Sequence, residues 1–305
     1  GDDLLSTTCL AFNRKIYIAP AMNPNMWNNK ILQDNLNTLS KDKFEIIGPD
    51  YGDHACGDVG YGRMSSPQSI VEALSKSLGR GVLDGYKVIV TAGPTREPID
   101  PVRFISNYSS GKMGYAIAEY CRDLGASVTL ISGPVRLDKP TKITCKDIET
   151  SSEMFDEVMK SIDNCDVIIS AAAISDYKPS NISDHKHKKQ DGGLTIHLVR
   201  GSDILKTAKE KNKNIYAVGF SAETENIKDN AVIKLHEKKL DLIIANEANH
   251  QKGVGFESDY NEIMIIHKDD KIVASKGSKK ELSKIIVNII ASDLKNNLIK
   301  VKNVR

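Results

Sequence analysis

Val88-Ile-Val-Thr-Ala-Gly-Pro-Thr-Arg-Glu-Pro-Ile-Asp-Pro-Val-Arg-Phe-Ile-Ser-Asn-Tyr-Ser-Ser-Gly-Lys-Met-Gly114 runs an apolar strand into a Gly-Pro break, then a polar and basic loop, then a helix start. In an open α/β sheet the carboxyl end of a strand faces the ligand crevice. A loop this long is more than a connection needs. It carries Arg96, Arg103, Asn107 and Lys112, a set that suits an anionic substrate.

Downstream, strand and helix patterns alternate. The helix after the loop, 112 to 124, puts Met113, Ala116, Ile117, Tyr120, Cys121 and Leu124 on one face with the 3.6-residue period, and Gly125 stops it. Strands are expected at 127–132, 141–145, 166–172, 215–220 and 241–245, with helices at 151–162, 203–211 and 226–239 between them. That is the βαβ pattern of a doubly wound, Rossmann-like parallel sheet. A hairpin at 262–275 turning at Asp269-Asp270 and a helix at 278–297 follow.

Upstream lie a short strand at 15–19, a turn at Pro20-Ala-Met-Asn-Pro24, a helix at 27–38, a strand at 44–47 and a helix at 67–78. Five glycines between Gly48 and Met64 read as a flexible loop or flap and not as a packed element. Gly79 to Gly85 is the expected boundary, giving parts 1–80 and 81–305. The polar, basic, Gly-flanked segment 181–194 reads as a mobile loop, either a solvated charge run or a lid.

The 305 residues suit one large or two ordinary domains, and a net charge of +2 argues against bulk binding of nucleic acid or anionic membrane. No apolar run is long enough to span a bilayer and no signal peptide opens the chain. Five scattered cysteines without a Cys-x-x-Cys pair speak for reduced thiols in a cytoplasmic protein and against zinc. The chain begins in mid-pattern, without Met or a first strand, and is expected to be a fragment.

Gly111-Lys112 fails as a P-loop, because Ser106 and Met113 stand where Gly and Ser or Thr are needed. Amides at that helix start remain able to hold a phosphate. Ala-Gly-Pro-Thr-Arg-Glu is not the Gly-x-Gly-x-x-Gly turn of a nicotinamide site, and Pro94 removes an amide donor. Ala171 to Ala173 serve either tight packing or a flat base laid against the backbone. Asp176 serves either an Asx turn or Mg²⁺. Lys234 and Lys238, four apart, are either solvated surface or phosphate neutralisers.

The string Val90–Gly114, with Ala171-Ala-Ala-Ile-Ser-Asp-Tyr-Lys-Pro179, Lys186-His-Lys-Lys189, Asp203-Ile-Leu205, Gly219-Phe-Ser-Ala-Glu-Thr224 and Gly255-Phe256, resembles the phosphopantothenate–cysteine ligase family. Asp2-Asp-Leu-Leu5, Pro20-Ala-Met-Asn23, Ala55-Cys-Gly-Asp58 and Gly62-Arg-Met64 resemble the end of phosphopantothenoylcysteine decarboxylase. Bacterial bifunctional enzymes of coenzyme A biosynthesis fuse the two. The resemblance implies a flavodoxin-like flavoprotein remnant over 1–80, lacking its N-terminal part, its catalytic histidine and most of the FMN phosphate site. It also implies a complete ligase over 81–305.

For the ligase it implies CTP, Mg²⁺, 4′-phosphopantothenate and cysteine, an acyl-cytidylate intermediate, and a homodimer, or a higher oligomer at full length. Lys186 would support acyl-cytidylate formation, Asn107 its turnover, and Arg103 would grip substrate. Ser170, Ala171, Ala172 and Ala173 would touch the cytosine, with Asp176 near ribose or metal. Ser202, Asp203, Ile204, Leu205, Phe220, Lys234 and Lys238 would make further nucleotide contacts. Asn23 and Cys56 match decarboxylase residues, Cys56 as proton donor. The chain departs from the family at Gly201-Ser202, Ser221 and His187. An ATP-using ligase and a non-catalytic nucleotide- or flavin-binding fragment stand as alternatives.

Overall fold

A computed structural model of the chain describes residues 2–54, 57–77, 81–188, 193–247, 258–269 and 271–302. They form two compact units, Gly1–Arg80 and Gly81–Arg305.

The first unit contains α1 (Leu4–Ala11), β1 (Ile16–Ile18), α2 (Pro24–Trp27), α3 (Lys30–Ser40), β2 (Phe44–Ile46), β3 (Asp50–Asp53), β4 (Val59–Arg63) and α4 (Pro67–Ser77). β1 pairs with β2 in parallel, and β3 with β4 antiparallel. The Gly-rich segment is therefore a hairpin, which corrects its reading as an unpacked flap. Its glycines allow close approach. A Cβ on Gly62, whose φ is +131°, would stand 2.2 Å from the Met22 carbonyl oxygen, and one on Gly60 2.9 Å from the Pro24 ring.

The second unit contains β5 (Lys87–Ala92), β6 (Arg96–Pro98), β7 (Phe104–Ser106), α5 (Lys112–Asp123), β8 (Ser127–Ser132), β9 (Thr144–Asp147), α6 (Ser151–Ser161), β10 (Val167–Ser170), β11 (Tyr177–Pro179), β12 (Leu198–Arg200), α7 (Ile204–Lys211), β13 (Tyr216–Glu223), α8 (Ile227–Glu237), β14 (Leu242–Glu247), β15 (Tyr260–His267), β16 (Ile272–Ser278) and α9 (Lys279–Lys302). Among the described residues one eight-stranded sheet runs β16-β15-β14-β13-β10-β5-β8-β9. β9, β8, β5, β10, β13 and β14 run parallel to one another, while β15 pairs antiparallel with β14 and β16 with β15. Taken in chain order, the parallel strands lie 3-2-1-4-5-6, the doubly wound arrangement.

Strand alternation builds the two cores. Val88, Val90 and Ala92 face Ile117 and Cys121 of α5 and Leu282 and Ile286 of α9. Ile89, Ile168 and Ala217 face Met154 and Val158 of α6, Leu205 of α7 and Leu235 of α8. With helices over both faces, β5 is buried from Val88 to Ala92 and reads as a continuous apolar run. Thr150 and Glu153 close a capping box on α6. Gly125, at φ +94°, ends α5, with its N–H on Arg122 O and that of Ala126 on Cys121 O.

Candidate active site at the sheet's switch point

β5 and β10 are parallel neighbours, with Thr91 level with Ser170. From β5 the chain builds outward through β8 and β9, and from β10 through β13 and β14 on the opposite side. The crevice outside the carboxyl ends of such a pair is where open α/β sheets bind ligands. Here the pairing continues past the strands. Ala171 N–H donates to Thr91 O at 3.2 Å, Ala173 N–H to Gly93 O at 2.9 Å, and Ala172 N–H to Thr91 Oγ1 at 3.3 Å. Ser170 and all three alanines are half-buried. Since the alanine N–H groups already serve β5, a flat ligand meets small side chains there and not backbone donors.

The glycine work of a dinucleotide turn is present but split. Gly93 and Gly111 both sit at φ +74°. A Cβ on Gly114 would lie 2.6 Å from Ala92 Cβ, so α5 packs directly onto β5. A Cβ on Gly111 would lie 3.5 Å from Gly93 Cα, so the first and second glycine roles meet in space across an inserted segment. Gly111-x-x-Gly114, at the opening of α5, supplies the second half of that pattern.

The insertion holds the β6–β7 hairpin, which the short polar strands did not announce. Glu97, 2% exposed, accepts the Ser151 N–H at the start of α6 at 2.9 Å. Asn107 leaves the hairpin and donates through Nδ2 to Ile174 O at 3.0 Å and Ala173 O at 3.4 Å. The loop's cations are each engaged within the chain. Arg96 stacks 4.7 Å from the Phe104 ring centroid and stands 3.9 Å from Glu149. Lys112 Nζ is 2.6 Å from Asp259 Oδ1. Arg103 clasps Asp100 Oδ2 through Nε and Nη2 at 3.0 and 2.7 Å.

The same turn holds segment 183–188. Ser183 N–H donates to Ile99 O at 3.0 Å, His187 N–H to Asp100 Oδ2 at 3.2 Å, and Arg103 Nη2 to His187 O at 2.7 Å. Burial of Asp100 pushes its pKa up, but the Val102 and His187 N–H groups and Arg103 outweigh it and hold the carboxyl well below the usual carboxylate range. Lys186 is exposed, with no hydrogen bond or ion pair among the described residues. Within the segment 181–194, expected to be a mobile loop, residues 183–187 are thus docked, while 189–192 lie outside the described residues. β11 pairs antiparallel with β12 at its two flanks.

Of the residues expected to contact nucleotide, Ile204 and Leu205 are core side chains at 3% and 6% exposure, so only their main chain can face a ligand. Ser202 is exposed beside Asp203, which caps α7 by accepting the Lys206 N–H at 3.0 Å. Lys238 pairs with Asp203 at 2.8 Å. Burial raises the Asp203 pKa, but Lys238 and the Lys206 N–H bring it down on balance. Lys234 bonds Glu223 at 2.6 Å and Ser221 Oγ at 3.2 Å. Phe220 is half-buried against the first core. Asp176, in the loop after β10, is exposed and its carboxylate has no partner among the described residues. Among the described residues no group of three His, Cys, Asp or Glu can hold a metal.

In the first unit, Asn23 caps α2 through the Asn25 N–H and donates Nδ2 to Asp58 Oδ2 at 3.0 Å. It is thereby tied to the β3–β4 turn. Cys56, Lys189, Asp270, Gly255 and Phe256 lie outside the described residues.

A family model described as DNA/pantothenate metabolism flavoprotein C-terminal domain matches residues 83–294, and one described as Flavoprotein matches 1–79. The chain is 45% identical over 286 residues to the coenzyme A biosynthesis bifunctional protein CoaBC of Bacillus subtilis, covering 92% of this chain and 68% of that one. To the protein of the same name from Haemophilus influenzae it is 43% identical over 292 residues, covering 95% and 72%. A crystal structure of the C-terminal domain of a coenzyme A biosynthesis bifunctional protein CoaBC matches with a TM-score of 0.60 at 38% identity, over 71% of this chain and 99% of that one.

Proposed function

Because the chain belongs to the family of the DNA/pantothenate metabolism flavoprotein C-terminal domain, with a flavoprotein segment ahead of it, we propose that it works in coenzyme A biosynthesis. Residues 81–305 act as a CTP-dependent phosphopantothenate–cysteine ligase. Residues 1–80 are the C-terminal part of an FMN-dependent decarboxylase, to which Asn23 and Cys56 belong.

In the ligase reaction a carboxylate oxygen of 4′-phosphopantothenate attacks the α-phosphorus of CTP, and pyrophosphate leaves. The cysteine amine then attacks the acyl carbon of the acyl-cytidylate, forming the amide and releasing CMP. Neither step needs a covalent bond to the protein. Positioned charges and donors lower both barriers. Lys186 offsets the charge that grows on the α-phosphate and pyrophosphate. Asn107 stands against the β10 loop, and letting go of one carbonyl gives its amide a hydrogen for the acyl oxygen. Arg103 acts from the Asp100 turn. Ser170 to Ala173 offer a thin wall for the cytosine, and the Ser202–Leu205 main chain, Phe220, Lys234 and Lys238 complete the nucleotide side. Asp176, unengaged among the described residues, would hold Mg²⁺, which needs only one or two carboxylates beside nucleotide phosphates, and the ion would supply charge neutralisation.

The observation that carries this reading is the β6–β7 hairpin at the switch point, which touches the β10 loop through Asn107 and the Lys186 segment through Asp100 and Arg103. A homodimer is supported by β16, an edge strand with Ile272 and Val273 exposed. Its substrates are small molecules, and we place its work in the cytoplasm. Among the described residues no helix is long and apolar enough to cross a membrane.

Pyrophosphate release with CTP and ATP in competition tests the proposal. Release should require phosphopantothenate and Mg²⁺ and prefer CTP, and amide should form only with cysteine. Equal release without phosphopantothenate sinks it. Preference for ATP corrects the nucleotide, and binding without turnover leaves a non-catalytic module.

A further inference from the structure

We propose that Asp100 is a positioning residue, whose buried carboxylate fixes segment 183–188 on the β6–β7 turn and so sets where the Lys186 ammonium stands. Its side chain has no exposed surface. A carboxylate taken out of water is costly unless every lone pair finds a donor. The two oxygens divide the donors. Oδ1 accepts the Val102 and Arg103 N–H groups at 2.9 Å each, which shapes the turn. Oδ2 accepts Arg103 Nε and Nη2 and the His187 N–H, which holds the neighbouring segment.

Both main-chain groups of His187 are thereby clamped, its N–H by Asp100 and its C=O by Arg103. Ser183 is fixed to Ile99, and its hydroxyl donates to His185 O at 2.7 Å, so order extends through the segment. Lys186 immediately precedes the clamped peptide. Its long stem stays adjustable while its Cα is placed. Because Glu97 anchors the same hairpin to α6, the clamp refers Lys186 to a helix packed on the sheet and not merely to a neighbouring loop.

The division of labour makes Asp100→Asn informative. The amide oxygen can keep the Oδ1 bonds, while its NH₂ then faces the donors of Arg103 and His187. The turn survives and the clamp breaks. Mild trypsin digestion of the native chain reads the clamp without any activity. Cleavage after Lys186 and Lys188 should rise about tenfold in Asp100→Asn, because a local opening that becomes easier is populated more often.

Only the activity readout rests on the ligase reading. There, kcat for pyrophosphate release should fall about tenfold with the CTP KM little changed, as misplacement weakens transition-state contacts. Lys186→Gln should lose pyrophosphate release while cleavage after Lys188 stays as slow as in the parent. Cleavage of Asp100→Asn at the parent rate overturns the proposal, as does faster cleavage with undiminished kcat. If Asp100→Asn lowers the whole melting curve, Arg103→Gln decides. It leaves Asp100 and the Oδ1 bonds in place, and it should speed cleavage only at 186–188. A parent-like rate in that variant is equally fatal. No pyrophosphate release from the parent chain sinks the ligase reading alone and leaves the cleavage test standing.

Discussion

Lys238 Nζ lies 2.8 Å from Asp203 Oδ2, tying the end of α8 to the residue that caps α7. The two oxygens of Asp203 thus serve a helix start and an ion pair at once. Asp203→Ala should cost about 1–2 kcal/mol, mostly through the lost cap. Asp203→Asn keeps the cap and loses a half-exposed pair worth less than about 1 kcal/mol. Urea melts of the two variants check this, and equal losses would contradict the division.

Asn107→Asp would set a carboxylate against the carbonyl oxygens of Ala173 and Ile174, where an amide now donates. Donation to an acyl oxygen would also be lost. Pyrophosphate release is expected to persist while amide formation stalls, so that acyl-cytidylate accumulates and is seen by rapid quench and mass spectrometry. Normal product formation counts against the assigned role.

At Gly114 a Cβ would meet Ala92 Cβ at 2.6 Å and Thr91 O at 3.1 Å, both on β5. Gly114→Ala should therefore destabilise the second unit by about 1–3 kcal/mol, the range for overpacking. The added methyl also shifts the start of α5 away from the switch point, so CTP affinity should weaken in parallel. Denaturation and nucleotide titration measure the two effects separately.

Lys279, 6% exposed at the start of α9, has its pKa lowered to about 8, through burial first and then through Lys112, with Asp259 opposing. The unfolded chain, at about 10.5, keeps a proton that the folded chain has lost over the window between these values. Stability from this group therefore rises with pH from about 8, and the cost of its charge is full below that. Melts at pH 8 and 10 should show a rise that Lys279→Met abolishes. A slope unchanged by that substitution contradicts it.

Much of the doubly wound sheet was legible because its strands and helices bury regular patterns. Ile117 and Cys121 were placed on the inner face of α5 by period alone, and both are buried. The β6–β7 and β11–β12 pairs were not legible. Each strand has three residues, Pro98 and Pro179 stand in two of them, and the pairing partners supply the only signal. Charge was harder still. Lys238, Lys234 and Lys112 looked available because Asp203, Glu223 and Asp259 are remote in sequence. The glycines of β4 read as freedom because the atoms that crowd them, Met22 O and the Pro24 ring, belong to another element.

Gly93 and Gly111 nearly touch, so segment 94–110 leaves the sheet and returns to it at one point. A chain closed on itself at so narrow a neck can be exchanged without asking the strands on either side to move. The hairpin is in that sense an interchangeable part. Grafting a different 94–110 segment that keeps Glu97, Asp100, Arg103 and Asn107 between these two glycines offers a route to new acid substrates, with the sheet beneath it left as it is.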